Sequence, residues 1–345
     1  MSTYWFLFAL PIFWALLPAG DDVATRIGLT ALAGIYVIAI GFRQDVGCDW
    51  GAYVFMYEVV ARLPFWKALF FTDSGYQALD FIAYWLGLGY YFAEFVSGLI
   101  FTACLFLFIR RQPLPWLALL CAAPYMVIVV AMGYQRQSIS LGFCMLAMLA
   151  FGERSVLRFV AFVLIGALFH KSLLFILPLV VLINGLRFNW LSVLTLAATG
   201  LVGGRVILGN TDYYLHVYQN KYMTSAGGLT RILVTALAGL VFLIFIRQYK
   251  RLFKDWDLLL YLAIISLILV PLVKISTTAV DRMAIYMLPF QIMVFSRLPV
   301  IFRATKMEMP VSLGIVGSYA TFLYVWLHYS LIAHECWLPY RSVLF

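Results

Sequence analysis

The sequence predicts an all-α polytopic integral membrane protein with about twelve transmembrane helices, roughly 11 to 14. Three observations carry this. Of 345 residues, 65% are apolar and only 11% charged, and the mean hydropathy is +0.97, whereas a soluble domain is close to half apolar and a quarter charged. Apolar runs of spanning length recur along the whole chain, and the charged residues gather between them. The same composition excludes disorder, and 5 Cys, 24 Gly and 12 Pro exclude a disulfide-stapled or collagen-like fold. A net charge of +9 would suggest nucleic acid as the partner of a soluble protein. Here the basic residues sit between apolar runs and report topology and contact with membrane lipid, so no nucleic-acid partner is expected.

The elements follow in order within one transmembrane domain, 1–345. Met1 to Ala19 lacks the basic stretch and cleavage site of a signal peptide and reads as a retained first helix, 3–19. Further runs fall at 25–42, 89–109, 114–132, 137–152, 156–170, 172–186, 190–208, 231–246, 257–273, 283–298 and 310–330. The segment 76–90 is apolar, but Asp80 lies inside it and Gly87 and Gly89 close it, so it reads as an interfacial or re-entrant helix. The basic clusters at 110–111, 153–154, 187, 247–254 and 303–306 then share one side, which the excess of Lys and Arg makes cytoplasmic. The loops 43–75 and 209–230 and the tail 334–345 lie on the outer side. Cys104, Cys121 and Cys144 fall in helices as packing residues, while Cys48 and Cys336 both fall outside, where a disulfide is chemically allowed. No internal repeat of the kind that marks secondary transporters is visible.

Several outer residues could carry chemistry. Arg43, Arg136, Lys171, Lys221, Arg231, Lys274 and Arg282 stand where the positive-inside rule disfavours them. Snorkelling accounts for any one, but a converging set suits an anion such as a lipid-linked diphosphate. Arg43, Arg136, Arg231 and Arg282 are the candidate ligands, since the planar guanidinium binds phosphate oxygens in pairs. The stretch Phe42 to Tyr53 gathers Arg43, Asp45, Asp49, Trp50 and Tyr53, a mixture of carboxylates and rings that suits a sugar. An interfacial aromatic belt explains the rings equally well. Asp49, then Asp45 and His170, are the candidate bases for deprotonating a sugar hydroxyl. His170 occupies the tight turn His170-Lys171-Ser172, and a purely structural histidine is the alternative. Gln135-Arg136-Gln137 opens a helix, and Arg282 and Tyr286 stand four residues apart, a spacing that shares a helix face. A structural ion pair of Asp281 and Arg282 with other groups is as good a reading as a ligand role. No nucleotide-binding, zinc-binding or serine-hydrolase motif is present, and no Cys or His pair has metal-ligand spacing, so neither metal nor cofactor is expected.

Taken in order, these residues resemble the EpsG and Wzy-type family of bacterial polysaccharide polymerases. The matching pieces are Arg43, Gly47, Asp49 and Tyr53 after an early helix, and Asp73 before Gly75-Tyr76-Gln77, where a Glu is more usual. Arg136-Gln137, His170 and Ser172, Arg282 and Tyr286, and Pro339-Tyr340 follow. The resemblance implies a GT-C-like helical fold in the bacterial cell inner (plasma) membrane. It implies a metal-independent, inverting glycosyl transfer from a glycan on undecaprenyl diphosphate to a lipid-linked repeat unit, on the periplasmic face. Tyr53, Asp73, Gln137, Tyr286 and Tyr340 would bind substrate, the arginines would hold the diphosphate, and a chain-length regulator and a flippase of the same pathway would be partners. An O-antigen-ligase-like transferase would share donor and fold but not acceptor, and a lipid-linked oligosaccharide flippase would carry its charge along a mid-membrane cavity.

Overall fold

The computed structural model describes residues 1–16, 22–183, 228–274 and 277–344. The expected span 190–208 and most of the loop 209–230, with Lys221, lie outside the described residues. Among the described residues the protein is helical, with an isolated antiparallel bridge between Arg43 and Ser342. Among the described residues, three helices are long and apolar enough to cross a membrane: Val23–Gly41, Tyr90–Ile109 and Glu308–Tyr329. At 1.5 Å per residue, about 20 residues match the roughly 30 Å hydrocarbon layer. Two bent pairs, Arg231–Ile244 with Ile246–Leu252 (77°) and Ala279–Ile285 with Leu288–Thr305 (43°), raise the number to five if each is one span. Shorter apolar helices are Ser2–Leu16, Pro115–Ala131, Val156–Phe169, Lys171–Leu182 and Trp256–Leu272.

The chain divides into two compact units, the first comprising Met1–Met145, Leu168–Lys171 and Phe295–Phe345. It begins with α1 (Ser2–Ala9) and α2 (Ile12–Leu16). The expected single helix 3–19 is interrupted at Pro11, whose ring blocks the preceding turn and which has no N–H to donate. Next comes α3 (Asp22–Gly41), whose Ile27 and Ile38 remain exposed, as a lipid-facing stripe requires. The stretch expected as a loop, 43–75, folds instead into α4 (Trp50–Ala61) and α5 (Phe65–Leu69). Its ends are polar, which made the whole stretch read as loop, but Trp50 to Ala61 carries Glu58 as its one charge. Helix α6 (Ser74–Trp85) is 12 residues long, about 18 Å, and so too short to cross. Gly87 (φ +68°) and Gly89 (φ +75°) then turn the chain through conformations open to glycine into α7 (Tyr90–Ile109). Helix α8 (Pro115–Ala131) starts on a proline, which suits a first turn, and widens to π-helix from Ala123. Helix α9 (Gln135–Gly152) begins in this unit.

The second unit comprises Leu146–Ala167 and Ser172–Val294. It holds most of α10 (Val156–Phe169), a 3₁₀ turn run continuing to Leu182, and α11 (Gly228–Ile244), bent into α12 (Ile246–Leu252). Helix α13 (Trp256–Leu272) packs on α11, where Gly239 lets the hydroxyl of Ser266 approach: a Cβ there would lie 2.7 Å from it. Helices α14 (Thr277–Ile285) and α15 (Leu288–Ile301) follow, the latter passing into the first unit. The first unit closes with α16 (Glu308–Tyr329), α17 (Leu331–Cys336) and the C-terminal tail.

Candidate functional site

The site is built in the first unit, where the tail is fastened to the segment after α3. Gln44 donates its N–H to the Arg341 carbonyl (3.0 Å), Gly47 to that of Cys336 (2.7 Å), and Val343 to that of Phe42 (3.0 Å). A disulfide joins Cys48 to Cys336, Cα atoms 4.9 Å apart, so the two outer cysteines are paired. Trp337 is fully buried and donates its ring N–H to the Ile128 carbonyl (2.9 Å). Gly47 has φ +94°, and a Cβ there would stand 2.5 Å from the Met132 carbonyl oxygen, so no other residue fits this crossing.

Arg43, at the end of α3, is completely buried. Its Nη1 lies 2.8 Å from Glu94 Oε1 of α7 and donates to the Ile40 carbonyl (2.5 Å), while Nε donates to that of Val46 (3.2 Å). Glu94 is the one charged residue of α7 and is equally buried. Its Oε1 also accepts from Gln135 Nε2 (3.3 Å), which donates to the Tyr90 hydroxyl as well (2.8 Å). The Tyr76 hydroxyl donates to Gln135 Oε1. The side chain of Gln135 is thus held by α6 and α7, which fixes the first turn of α9 and the next residue, Arg136.

Arg136 reaches outward: its side chain is 27% exposed, and Nη1 bonds Asp73 Oδ2 at 2.9 Å. Its guanidinium also stands 5.9 Å from the centre of the Tyr53 ring, within cation–π range. Burial pushes the Asp73 carboxyl above its usual range, while Arg136 and Lys171 pull it back. Burial pushes the Tyr53 phenol up to about 12, Arg136 again opposing. Behind this pair lies Asp80 of α6, fully buried, with neither carboxyl oxygen hydrogen-bonded among the described residues. Burial pushes it up to about 8 against the pull of Arg136. Aromatic rings line the same corner: Tyr53 and Tyr76 (centroids 5.5 Å apart), Tyr57 and Tyr90 (6.2 Å), and Trp50 and Tyr90 (6.0 Å).

The structure therefore brings together Arg43, Tyr53, Asp73 and Arg136, with the half-buried Tyr340 beside Arg43, its hydroxyl donating to the Ala39 carbonyl (3.0 Å). Asp49 is exposed at the N-cap of α4 and acts electrostatically on Tyr53. Gln137 is buried in the first turns of α9, with Nε2 unpaired among the described residues. Asp45 points away, paired at the surface with Arg341 (2.9 Å). His170 is half-buried, its carbonyl accepting from the Ser140 hydroxyl (3.4 Å). In the second unit, Arg231 forms a buried ion pair with Asp281 (2.6 Å), and Tyr286, fully buried, meets the Ser172 hydroxyl (3.1 Å). Arg282 is exposed. The expected shared face of Arg282 and Tyr286 is not formed, because α14 ends at Ile285 and the chain bends there.

Sequence reasoning missed Glu94, Gln135 and Asp80 as site residues. A signal existed for two of them. A carboxylate inside an otherwise apolar segment is expensive and marks function or a partner, and Glu94 and Asp80 are both of that kind.

Helices of membrane length, a buried Arg43–Glu94 ion pair and an arginine set among buried aromatic rings define an α-helical integral membrane protein with a polar cluster inside it. Residues 27–342 match the EpsG family, and the chain belongs to that family. This membership supports a role in polysaccharide biosynthesis, as a polymerase of glycosyltransferase type. No curated protein and no solved structure matches the chain.

Proposed function

We propose that the protein extends a polysaccharide by moving a growing glycan from undecaprenyl diphosphate to a lipid-linked repeat unit, on the periplasmic face of a bacterial inner membrane. The observation that carries this reading is the Arg136–Asp73 pair over the Tyr53 ring, an arginine held ready, partly open to solvent and walled by aromatics. In this reading the acceptor hydroxyl oxygen attacks the anomeric carbon, the bond from that carbon to the diphosphate oxygen breaks, and its electron pair leaves with the diphosphate. Arg136 stabilises the charge that develops there, which is where a phosphate ligand lowers a barrier. Asp49, exposed beside Tyr53, takes the hydroxyl proton. Arg282 is proposed as a second diphosphate ligand from its place in the sequence alone. The Cys48–Cys336 disulfide supports the outward orientation, since disulfides persist in oxidising compartments. The apolar helices Ser2–Leu16, Pro115–Ala131, Val156–Phe169 and Trp256–Leu272 are read as further crossings, which would bring the total toward about twelve.

The test is to incubate the purified protein with one defined lipid-linked repeat unit, with and without a chelator. A product ladder in both conditions is expected. A single transfer to a lipid A core acceptor would make the protein a ligase, and loss of product in the chelator, restored by magnesium or manganese, would end the metal-free mechanism.

A further inference from the structure

The chain between α3 and α7 begins and ends at one level of the first unit. Gly41, the last residue of α3, lies so close to α7 that a Cβ there would stand 2.8 Å from the Cα of Phe95, and the rings of Phe42 and Phe95 are 5.4 Å apart. Phe95 belongs to the second turn of α7, so residues 42–89 leave and rejoin these two membrane-length helices on the same side. Within that segment, α5 buries only Ala68. The residues around it are aromatic and exposed: Phe65, Trp66 (62%), Phe70 (83%) and Phe71. Phe65 meets Phe81 of α6 with ring centroids 4.9 Å apart, and Trp85, one helical turn beyond Phe81, extends the same surface at 75% exposure. Arg62 and Lys67 are the charged residues between positions 59 and 72, and both are exposed. Lys67 Nζ stands 5.1 Å from the centre of the Trp66 ring.

A contiguous exposed aromatic surface of this kind marks an interaction site, and its charge and place select the occupant. A second copy docked face to face about a two-fold axis would set Arg62 and Lys67 against the same two cations, with no acid between 59 and 72 to offset them. The hydrocarbon core does not fit either, because the segment returns to its own side and α6 is too short to cross. A membrane surface meets both demands. Trp and Phe rings settle at the boundary between headgroups and acyl chains, and cations beside them meet lipid phosphates.

We propose that residues 62–71, with α5 at their centre, form an interfacial anchor. It dips its aromatic face into the leaflet on the side where α3 ends, and Arg62 and Lys67 hold phospholipid phosphates. The anchor is joined directly to the polar cluster. Asp73, the partner of Arg136, follows Phe71 by two residues and N-caps α6, and the Thr72 hydroxyl accepts from Gln77 Nε2 (2.5 Å). The Arg136–Asp73 pair is thereby held close to the lipid headgroups. This assignment goes beyond the polymerase reading and does not depend on it.

The experiment is electron paramagnetic resonance of a spin label at Phe70→Cys in the full-length protein, reconstituted in vesicles of phosphatidylethanolamine and phosphatidylglycerol. Cys104, Cys121 and Cys144 are buried and Cys48 is bonded to Cys336, so the label goes to the new thiol. Phe70 is exposed enough that its loss leaves the packing intact. A label at Arg341→Cys, in the surface pair with Asp45, is the aqueous reference. Oxygen, which concentrates in lipid, should relax the Phe70 label more than a water-soluble nickel chelate does, at a depth of about 5–10 Å, and the order should reverse at Arg341. The proposal is overturned if the chelate reaches the Phe70 label as readily as the Arg341 label. It is also overturned if labels at Phe70 broaden each other's spectra, which would make the surface a contact between two copies. Charge reversal, Arg62→Glu with Lys67→Glu, should lower the oxygen-to-nickel ratio at Phe70, and an unchanged ratio would remove the phosphate contact from the proposal and so overturn it. The readout contains no enzymatic step, so it succeeds or fails apart from the product ladder that tests the polymerase reading.

Discussion

Arg136 and Asp80 stand on opposite sides of one cluster and are exposed to different tests. If Arg136 grips a diphosphate through its planar fork, Arg136→Lys keeps the charge but loses paired bonding, and turnover at saturating donor should fall by about tenfold or more, with Arg136→Ala lower still. Full activity in Arg136→Lys at matched expression would make the residue a membrane anchor. Asp80 holds its proton more tightly folded than unfolded, since burial raises its carboxyl to about 8 from the usual value near 4. Its contribution to stability is therefore complete below about pH 4 and is lost as the pH rises to about 8. Melting curves should show the wild type losing stability relative to Asp80→Asn up to about pH 8 and running parallel above it; parallel curves throughout would mean that Asp80 does not titrate differently on folding.

At the scale of elements, the ion pair of Arg43 and Glu94 ties the end of α3 to α7, and Gln135 extends the tie to α9. Removing one partner strands the other charge in an apolar interior, so Glu94→Ala should destabilise by about 3–5 kcal/mol, while the double change Arg43→Met with Glu94→Leu should recover much of that loss. Equal instability of single and double variants in thermal unfolding would contradict this. The disulfide closes most of the chain into one loop, its cysteines standing 288 positions apart. Cys48→Ser should cost about 2–4 kcal/mol and loosen the tail, read as faster proteolysis after Cys336. An unchanged digestion pattern would show that the backbone bonds from Gln44, Gly47 and Val343 suffice.

For the whole molecule, the proposed orientation places α4 outside the cell membrane. A cysteine introduced at the exposed Arg62, in the Cys104, Cys121 and Cys144 background, should react with an impermeant maleimide on intact spheroplasts. Labelling only after permeabilisation would invert the topology and move the Arg43 segment to the cytoplasmic side. The positions of the helices were legible in the chain because a segment in hydrocarbon must bury its own backbone polar groups, and apolar length records that demand. Thus 25–42, 89–109 and 310–330 were expected within a few residues of the helices Asp22–Gly41, Tyr90–Ile109 and Glu308–Tyr329. Helix breaks were less legible: Pro11 and the bend after Ile285 interrupt runs whose hydropathy is continuous. The residue types of the site were legible too, as arginines, carboxylates and rings gathered after α3 and at the start of α9. Their pairing was not. That Arg43 is spent on Glu94, that Asp73 takes Arg136 and leaves Asp80 without a partner, and that Cys48 finds Cys336 are contacts between residues 51, 63 and 288 positions apart in the chain. Hydropathy is a property of each residue's own solvent preference, so the sequence alone determined that the chain is an α-helical membrane protein and which family it belongs to. Pairing depends on which helix ends meet in space, and tertiary structure alone decided which charges find partners and which, like Asp80, are buried without a hydrogen bond among the described residues.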